Sequence, residues 1–227
     1  MEKVYKKEED SWNYKKDSTN RILKKDRPEP INSEISLNHN KVLLSITDTR
    51  GIITYANEDF VEASEYKEWE LAGSNHNVIR HPDMPRVIFK LMWNRIQNGD
   101  NIIAIVKNLS KSGRFYWVMT DFVIREDVDG NIIGYKAFRR PAPRKAIETV
   151  IPLYEKLCMI EDIKGVEASE KFLIGFLDSK DTTYDDFIET LIIDNISEIS
   201  IEMEEVKVEG TVKKEERRSF FRRLFDY

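Results

Sequence analysis

Three apolar runs, 101–109, 114–124 and 131–139, follow one another, separated only by Ser110-Lys111-Ser112-Gly113 and by Asp127-Val128-Asp129-Gly130. Connections this short join antiparallel neighbours, because a parallel pair needs a crossover of a dozen residues or more. The run is therefore three consecutive antiparallel strands. Upstream, 41–47 reads as a strand, Asp48-Thr49-Arg50-Gly51 as its turn and 52–55 as the returning strand. The order is two strands, a helical middle, then three strands. An α+β domain satisfies it with one five-stranded antiparallel sheet, the middle helices covering one face and a concave side enclosing a pocket.

Asn57 is a good N-cap for a short helix beginning at Glu58, since its side chain satisfies orphan helix N–H groups. From Ser64 to Asp83 no long periodic element is expected, and irregular backbone of this kind tends to display binding groups. Asp83 is predicted to cap a longer helix in which Met84, Val87, Ile88, Leu91, Met92 and Ile96 recur at helical spacing, with Asn98-Gly99 as the stop. After Pro141 and Pro143 the pattern turns helical through Ile147, Val150, Tyr154 and Leu157, with a kink expected at Pro152. Further helices are predicted over 168–177 and 184–193, continuing toward 205. The expected division is a charged, poorly ordered arm at 1–37, a folded domain at 38–141, a helical extension at 142–205 and a basic amphipathic tail at 206–227.

The 227 residues carry a formal net charge of −5, which argues against a general nucleic-acid binder. A single cysteine, Cys158, excludes an internal disulfide and a cysteine-based metal cage, and inert packing is its expected role. The N-terminus MEKVYKKEEDSW lacks the apolar core of a signal peptide, and no run of eighteen apolar residues occurs, so a cytoplasmic protein without a transmembrane segment is expected. There is no G-x-S-x-G, no H-E-x-x-H and no glycine-rich phosphate loop, so no catalytic residue and no enzyme activity is expected. In the tail, Phe220, Phe221, Leu224 and Phe225 crowd among arginines. That pattern suits docking to an acidic partner or peripheral association with a membrane surface.

The block His76-Asn77-Val78-Ile79-Arg80-His81-Pro82-Asp83-Met84-Pro85 puts two of the three histidines and an arginine into ten residues. One reading is ligand contact, in which Arg80 pairs with a phosphate or carboxylate while the histidines and Asn77 position a ring by hydrogen bonds. The other is a structural turn, in which Asp83 caps the helix, Pro82 and Pro85 set its entry and His81 satisfies backbone carbonyls. As a metal site the block is poor, because no further ligand stands at a suitable spacing. Apolar strand residues such as Ile105, Phe115, Trp117, Val118 and Tyr135 are candidates to line a pocket or simply to pack a core.

This block resembles the PAS sensory domain, and more narrowly the FAD-binding PAS domain of the aerotaxis receptor family. Tyr55-Ala56-Asn57-Glu58-Asp59-Phe60, Phe89-Lys90-Leu91-Met92-Trp93, Ile105-Val106-Lys107-Asn108, Lys111-Ser112-Gly113, Tyr116-Trp117-Val118, 130–135 and Arg139 match as well. The resemblance covers about 100 residues and implies a PAS fold at 38–141, a non-covalently held FAD and a signalling output rather than catalysis. It implies cofactor contacts from Asn57, His76, Asn77, Arg80, His81 and Asp83, with Asn108 and Trp117 as weaker candidates. Ile102 stands where family members commonly carry tryptophan. A haem-binding sensor, or a ligand-free module that docks proteins, is therefore the alternative. The partner implied is a separate chemoreceptor-like signalling protein, as for the PAS-only half of bipartite energy-taxis receptors, or a second copy of the chain.

Overall fold

A computed structural model describes residues 27–199; the predicted tail at 206–227 and most of the charged arm lie outside the described residues. The hairpin forms as expected from β1 (Leu43–Thr47) and β2 (Ile53–Ala56). Its turn is locked by Asp48, whose carboxylate accepts from the backbone N–H of Arg50 and of Ile52 at 2.9 Å each, the side-chain turn that aspartate favours. Two short helices follow, α1 (Glu58–Ser64) and α2 (Glu68–Leu71), then a single 3-10 turn at His76–Ile79 and the longer α3 (Arg86–Gln97). The three predicted strands are β3 (Ile103–Leu109), β4 (Phe115–Glu126) and β5 (Ile132–Pro141). All five strands make one antiparallel sheet in the order β2-β1-β5-β4-β3. Beyond it lie α4 (Arg144–Lys164), α5 (Val166–Asp178) and α6 (Tyr184–Asp194). The helix assignment of α4 runs through Pro152 without a break.

Register decides which side chains share a face. Thr120 pairs with Arg139, Phe122 with Ala137 and Ser45 with Ala137, while Asn108 pairs with Tyr116 and Val106 with Val118. With a period of two, Ser45, Val106, Asn108, Thr120, Ala137 and Arg139 all project toward the α1–α3 side. At Gly134 the strands come so close that an added Cβ would sit 2.2 Å from the Thr47 carbonyl oxygen. Only glycine fits there without moving backbone.

An edge strand exposes unpaired backbone groups, and β3 is an edge. Here the groups are covered. The Lys107 N–H donates to Met84 Sδ at 3.2 Å, the Ile105 carbonyl accepts from the Tyr154 hydroxyl at 2.8 Å, and Arg80 bridges Asn108. The ten-residue block and α4 therefore close one side of the sheet together. At the start of β4, where β5 has already ended, residues 31–35 take the vacant place: Ile31 N–H donates to Gly113 at 2.8 Å and Ile35 N–H to Phe115 at 2.7 Å.

The predicted cap of α3 is corrected. Asp83 lies outside the helix, whose N-cap position is held by Pro85, and pairs with Lys107 at 2.7 Å. Glu161 of α4 does the capping instead. Its buried carboxylate accepts from the backbone N–H of Arg86 and of Val87 at 2.8 Å each, and from Arg86 Nε at 3.1 Å. Lys90 of α3 also pairs with Glu170 of α5, and Arg95 with Asp185 of α6, at 2.7 Å each. Each helix of the extension thus holds one basic residue of α3.

Candidate functional site

Between the sheet and α3 lies a cavity of about 70 Å³, open to solvent at its mouth. Alternate residues of four strands form its floor: Ser45 and Thr47, Val106 and Asn108, Thr120 and Phe122, and Tyr135, Ala137 and Arg139. Phe89, Met92, Trp93 and Ile96 form its roof, at the i, i+3, i+4, i+7 spacing that one helix face requires. Trp93 meets Tyr135 edge-on with ring centroids 5.7 Å apart. Gly51, at φ +75°, lets the β1–β2 turn pass beneath this indole, where a Cβ would stand 2.9 Å from the ring.

The cavity is mostly apolar, with polar atoms at chosen points. Asn108 and Thr120 are 3% and 1% exposed; the Thr120 hydroxyl has no hydrogen-bond partner among the described residues, and the Asn108 amide has only the neighbouring Tyr116 phenol. Leaving a group such as the Thr120 hydroxyl buried and unpaired costs roughly 1–3 kcal/mol, so a ligand with complementary polar atoms would recover that loss. Arg139 is 3% exposed and donates to the Ser45 hydroxyl, the Ala137 carbonyl and His76 Nε2, each at 3.0 Å. Its guanidinium also lies over the Phe60 ring at 5.2 Å. Because a guanidinium can only donate, His76 Nε2 is the acceptor and the imidazole is neutral. Burial, then the neighbouring Arg139 charge, holds the His76 pKa well below its ordinary value.

Of the expected contact residues, His76, Asn77, Arg80 and Asn108 line the cavity together. Arg80 holds its guanidinium 4.7 Å above the Phe89 ring and donates to the Met84 carbonyl at 2.9 Å. Four others do not line it. Asn57 is spent on structure: its carbonyl oxygen accepts from Phe60 and Leu44 N–H at 3.0 Å each, and its amide donates to Val42 at 2.8 Å. His81 is buried and accepts from the Asp83 N–H at 3.1 Å through Nδ1. Asp83 is exposed and ion-paired with Lys107. Trp117, odd-numbered in β4, faces away from the cavity and stacks on Tyr154 of α4 at 6.5 Å. Of the aromatic and apolar strand candidates, only Tyr135 lines the wall. Ile102 is buried outside the cavity lining. The expected set omits Ser45, Thr120, Trp93 and Arg139. Strand alternation through Tyr135, Ala137 and Arg139 was the available signal.

Burial, together with nearby acidic charges, pushes the Cys158 thiol up to about 11, which leaves it unreactive at neutral pH. Among the described residues no group of three potential ligands could hold a metal ion.

Burial and the Lys107 charge push His81 down to about 4, against the opposing influence of Asp83. An unfolded histidine titrates near 6.5. The unfolded chain then takes up the proton first as pH falls, so stability is complete above about 6.5 and is lost progressively down to about 4. His76 shifts in the same direction. Between pH 7.5 and 5.0 His81 alone should cost about 2 kcal/mol of stability to urea, the 1.5 units it traverses at ~1.36 kcal/mol each, and His76 adds to that loss. His81→Gln should reduce that slope by the His81 share and leave the His76 part; an equal slope in the variant would remove His81 from the explanation.

Residues 53–139 match a protein family described as the PAS fold. Over 117 residues the chain is 44% identical to the aerotaxis receptor of Escherichia coli (strain K12), covering 51% of this chain and 22% of that protein. Over 99 residues it is 28% identical to a nitrogen fixation regulatory protein of Klebsiella pneumoniae, covering 44% and 20% of the two chains. The chain spans about a fifth of the length of these curated relatives. Among solved structures, the light state of the blue-light photoreceptor Aureochrome1 LOV aligns with a TM-score of 0.44 and 22% identity, covering 48% of this chain and 88% of that one.

Proposed function

We propose, of a chain whose residues 53–139 are a PAS domain of the aerotaxis-receptor type, that it is a cytoplasmic, non-catalytic redox or energy sensor holding FAD and signalling to a separate chemoreceptor-like protein. The observation that carries the reading is the buried, unpartnered Thr120 hydroxyl beside the buried Asn108 amide, both facing an aromatic-walled cavity. That wall fits a flat heterocycle with polar atoms on its edge. Phe89, Trp93, Phe122 and Tyr135 offer ring faces, and Asn108 offers a donor to a ring oxygen or nitrogen. A bound flavin supplies a ring that takes up and releases electrons.

The rest is done by the chain. Asn108 and Thr120 fix the ring's orientation, Arg80 at the 3-10 turn favours a phosphate or ring carbonyl, and the α3 side chains exclude water. Helix α3 has one face on the cavity and basic residues held by the extension. A small displacement of Phe89 or Trp93 therefore loads Glu161, Glu170 and Asp185 at once. We take 38–141 as the sensory unit and 142–205 as its output arm. On that arm Met159, Ile163 and Ile174 are exposed, as a docking face for a partner would be. The haem alternative gains nothing here, because the Nε2 of His76 is already engaged by Arg139 and Ser45. No helix among the described residues is long and apolar enough to cross a membrane.

Arg80→Ala tests the reading. The variant should unfold near the wild-type urea midpoint yet retain at least tenfold less FAD per protein after gentle purification, measured by acid release and chromatography. Equal FAD content in the two proteins would remove Arg80 from the site, and absence of FAD from both, with none taken up on incubation, would favour the ligand-free docking module.

A further inference from the structure

The outer face of the sheet, away from α3, carries a second cavity, of about 250 Å³. The pairing that points Thr120 and Arg139 inward points Trp117 outward, and Trp117 lies in the wall of this second space. Two other parts of the chain close it. The segment 34–39 contributes Ile35 and Leu37, and the junction of β5 with α4 contributes the buried Ala142 and Ile147. Trp117 is held in place by its stack on Tyr154 of α4. An open space of this size over apolar side chains forfeits the contacts that dense packing gives them, so an occupant that fills it is favoured.

The polar residues of the cavity stand at its rim. Glu34, Ser36 and Arg144 line it and are exposed, so an apolar floor meets a polar edge, the pattern of small-molecule sites. At this rim Glu34 directs both carboxylate oxygens to the single Nη1 of Arg144, at 2.9 and 3.2 Å. Glu148 comes no nearer to the Arg144 Nε than 3.9 Å. A guanidinium is a fork with donors on several nitrogens, so Arg144 can take a second carboxylate beside Glu34. The Glu34 and Arg144 side chains are 33% and 59% exposed, which makes their pair cheap to rearrange. Among the described residues lining the cavity, Glu34 is the one carboxylate.

We propose that this cavity is a second ligand site, for a small planar aromatic carboxylate whose ring lies against Trp117 and whose carboxylate is bound by Arg144. The site stands apart from the flavin reading, because no residue lines both cavities. Its occupant touches the segment 34–39, the sheet and the first turn of α4 at once. Binding there therefore bears on how the helical extension leaves the sheet, whatever the cavity under α3 holds.

The test is calorimetric titration of the full chain with 1-naphthoate, and with 1-naphthamide as its uncharged counterpart. One equivalent of 1-naphthoate should bind, with a dissociation constant of about 1 mM or below for a ligand of this size. The amide should bind the wild type about tenfold more weakly, as should 1-naphthoate the Arg144→Gln variant, the worth of a charge-assisted hydrogen bond at an exposed group. Ala142→Leu adds a branched side chain inside the cavity and should weaken 1-naphthoate at least as much. Should that variant fail to fold, the exposed Arg144→Gln decides alone. No binding to the wild type, equal affinity for acid and amide, or unchanged affinity in Arg144→Gln each overturns the proposal. None of these outcomes bears on the flavin reading, which the FAD content of the same samples reports separately.

Discussion

Glu161→Ala lowers the unfolding free energy by roughly 3 kcal/mol and weakens the link between α3 and the extension. The magnitude follows from what one carboxylate does. It is 5% exposed and accepts from two backbone N–H groups of the first turn of α3, and it pairs with Arg86, whose side chain is half exposed. Loss of a helix cap costs about 0.5–2 kcal/mol, and a buried N–H left without an acceptor about 1–3. The exposed Arg86 can recover water, so its share is small. Glu161→Gln keeps one acceptor and should lose about half as much. Urea unfolding at constant m-value reads both, and a loss below about 1 kcal/mol for Glu161→Ala would show that solvent or another residue caps α3. Such a result would also remove the firmest connection between cavity roof and output arm.

Asn108→Leu weakens binding while leaving stability nearly unchanged. The ligand-free protein should change by less than about 1 kcal/mol, because the apolar group relieves a poorly paired buried amide but leaves the Tyr116 phenol without its neighbour. FAD affinity should fall roughly a hundredfold, since the ligand loses a donor in a site closed to water and meets a branched side chain in its place. Parallel thermal unfolding and fluorescence titration with FAD separate the two. A variant that is destabilised without loss of FAD affinity would mean that Asn108 serves the fold alone.

The strands and their turns were legible because their signals are local: alternation with period two, and Asp48 or Asp127 bonding to backbone N–H groups two and four residues on. Asn57 was equally legible as an N-cap, and that occupation keeps it from the cavity. The start of α3 was not. Two prolines and an aspartate looked like a self-contained cap, whereas the acceptor arrives from Glu161, 75 residues away. No local pattern announces such a partner. Trp117 was misplaced for a different reason: an aromatic residue in a buried strand suits either face, and only the pairing of Thr120 with Arg139 fixes the odd positions of β4 outward. Arg139 itself was visible as part of a motif but not as a site, because arginine at the end of a strand is usually solvated. Its burial depends on Phe60, Ser45 and His76 converging from three separate elements.

The most direct test of the account is an absorption spectrum of the full chain purified gently from its native host, followed by acid release and chromatography of any chromophore. A flavin spectrum with FAD released in near-stoichiometric amount is the predicted result. A colourless protein that stays colourless after incubation with FAD would contradict it, and a Soret band would transfer the cavity to haem.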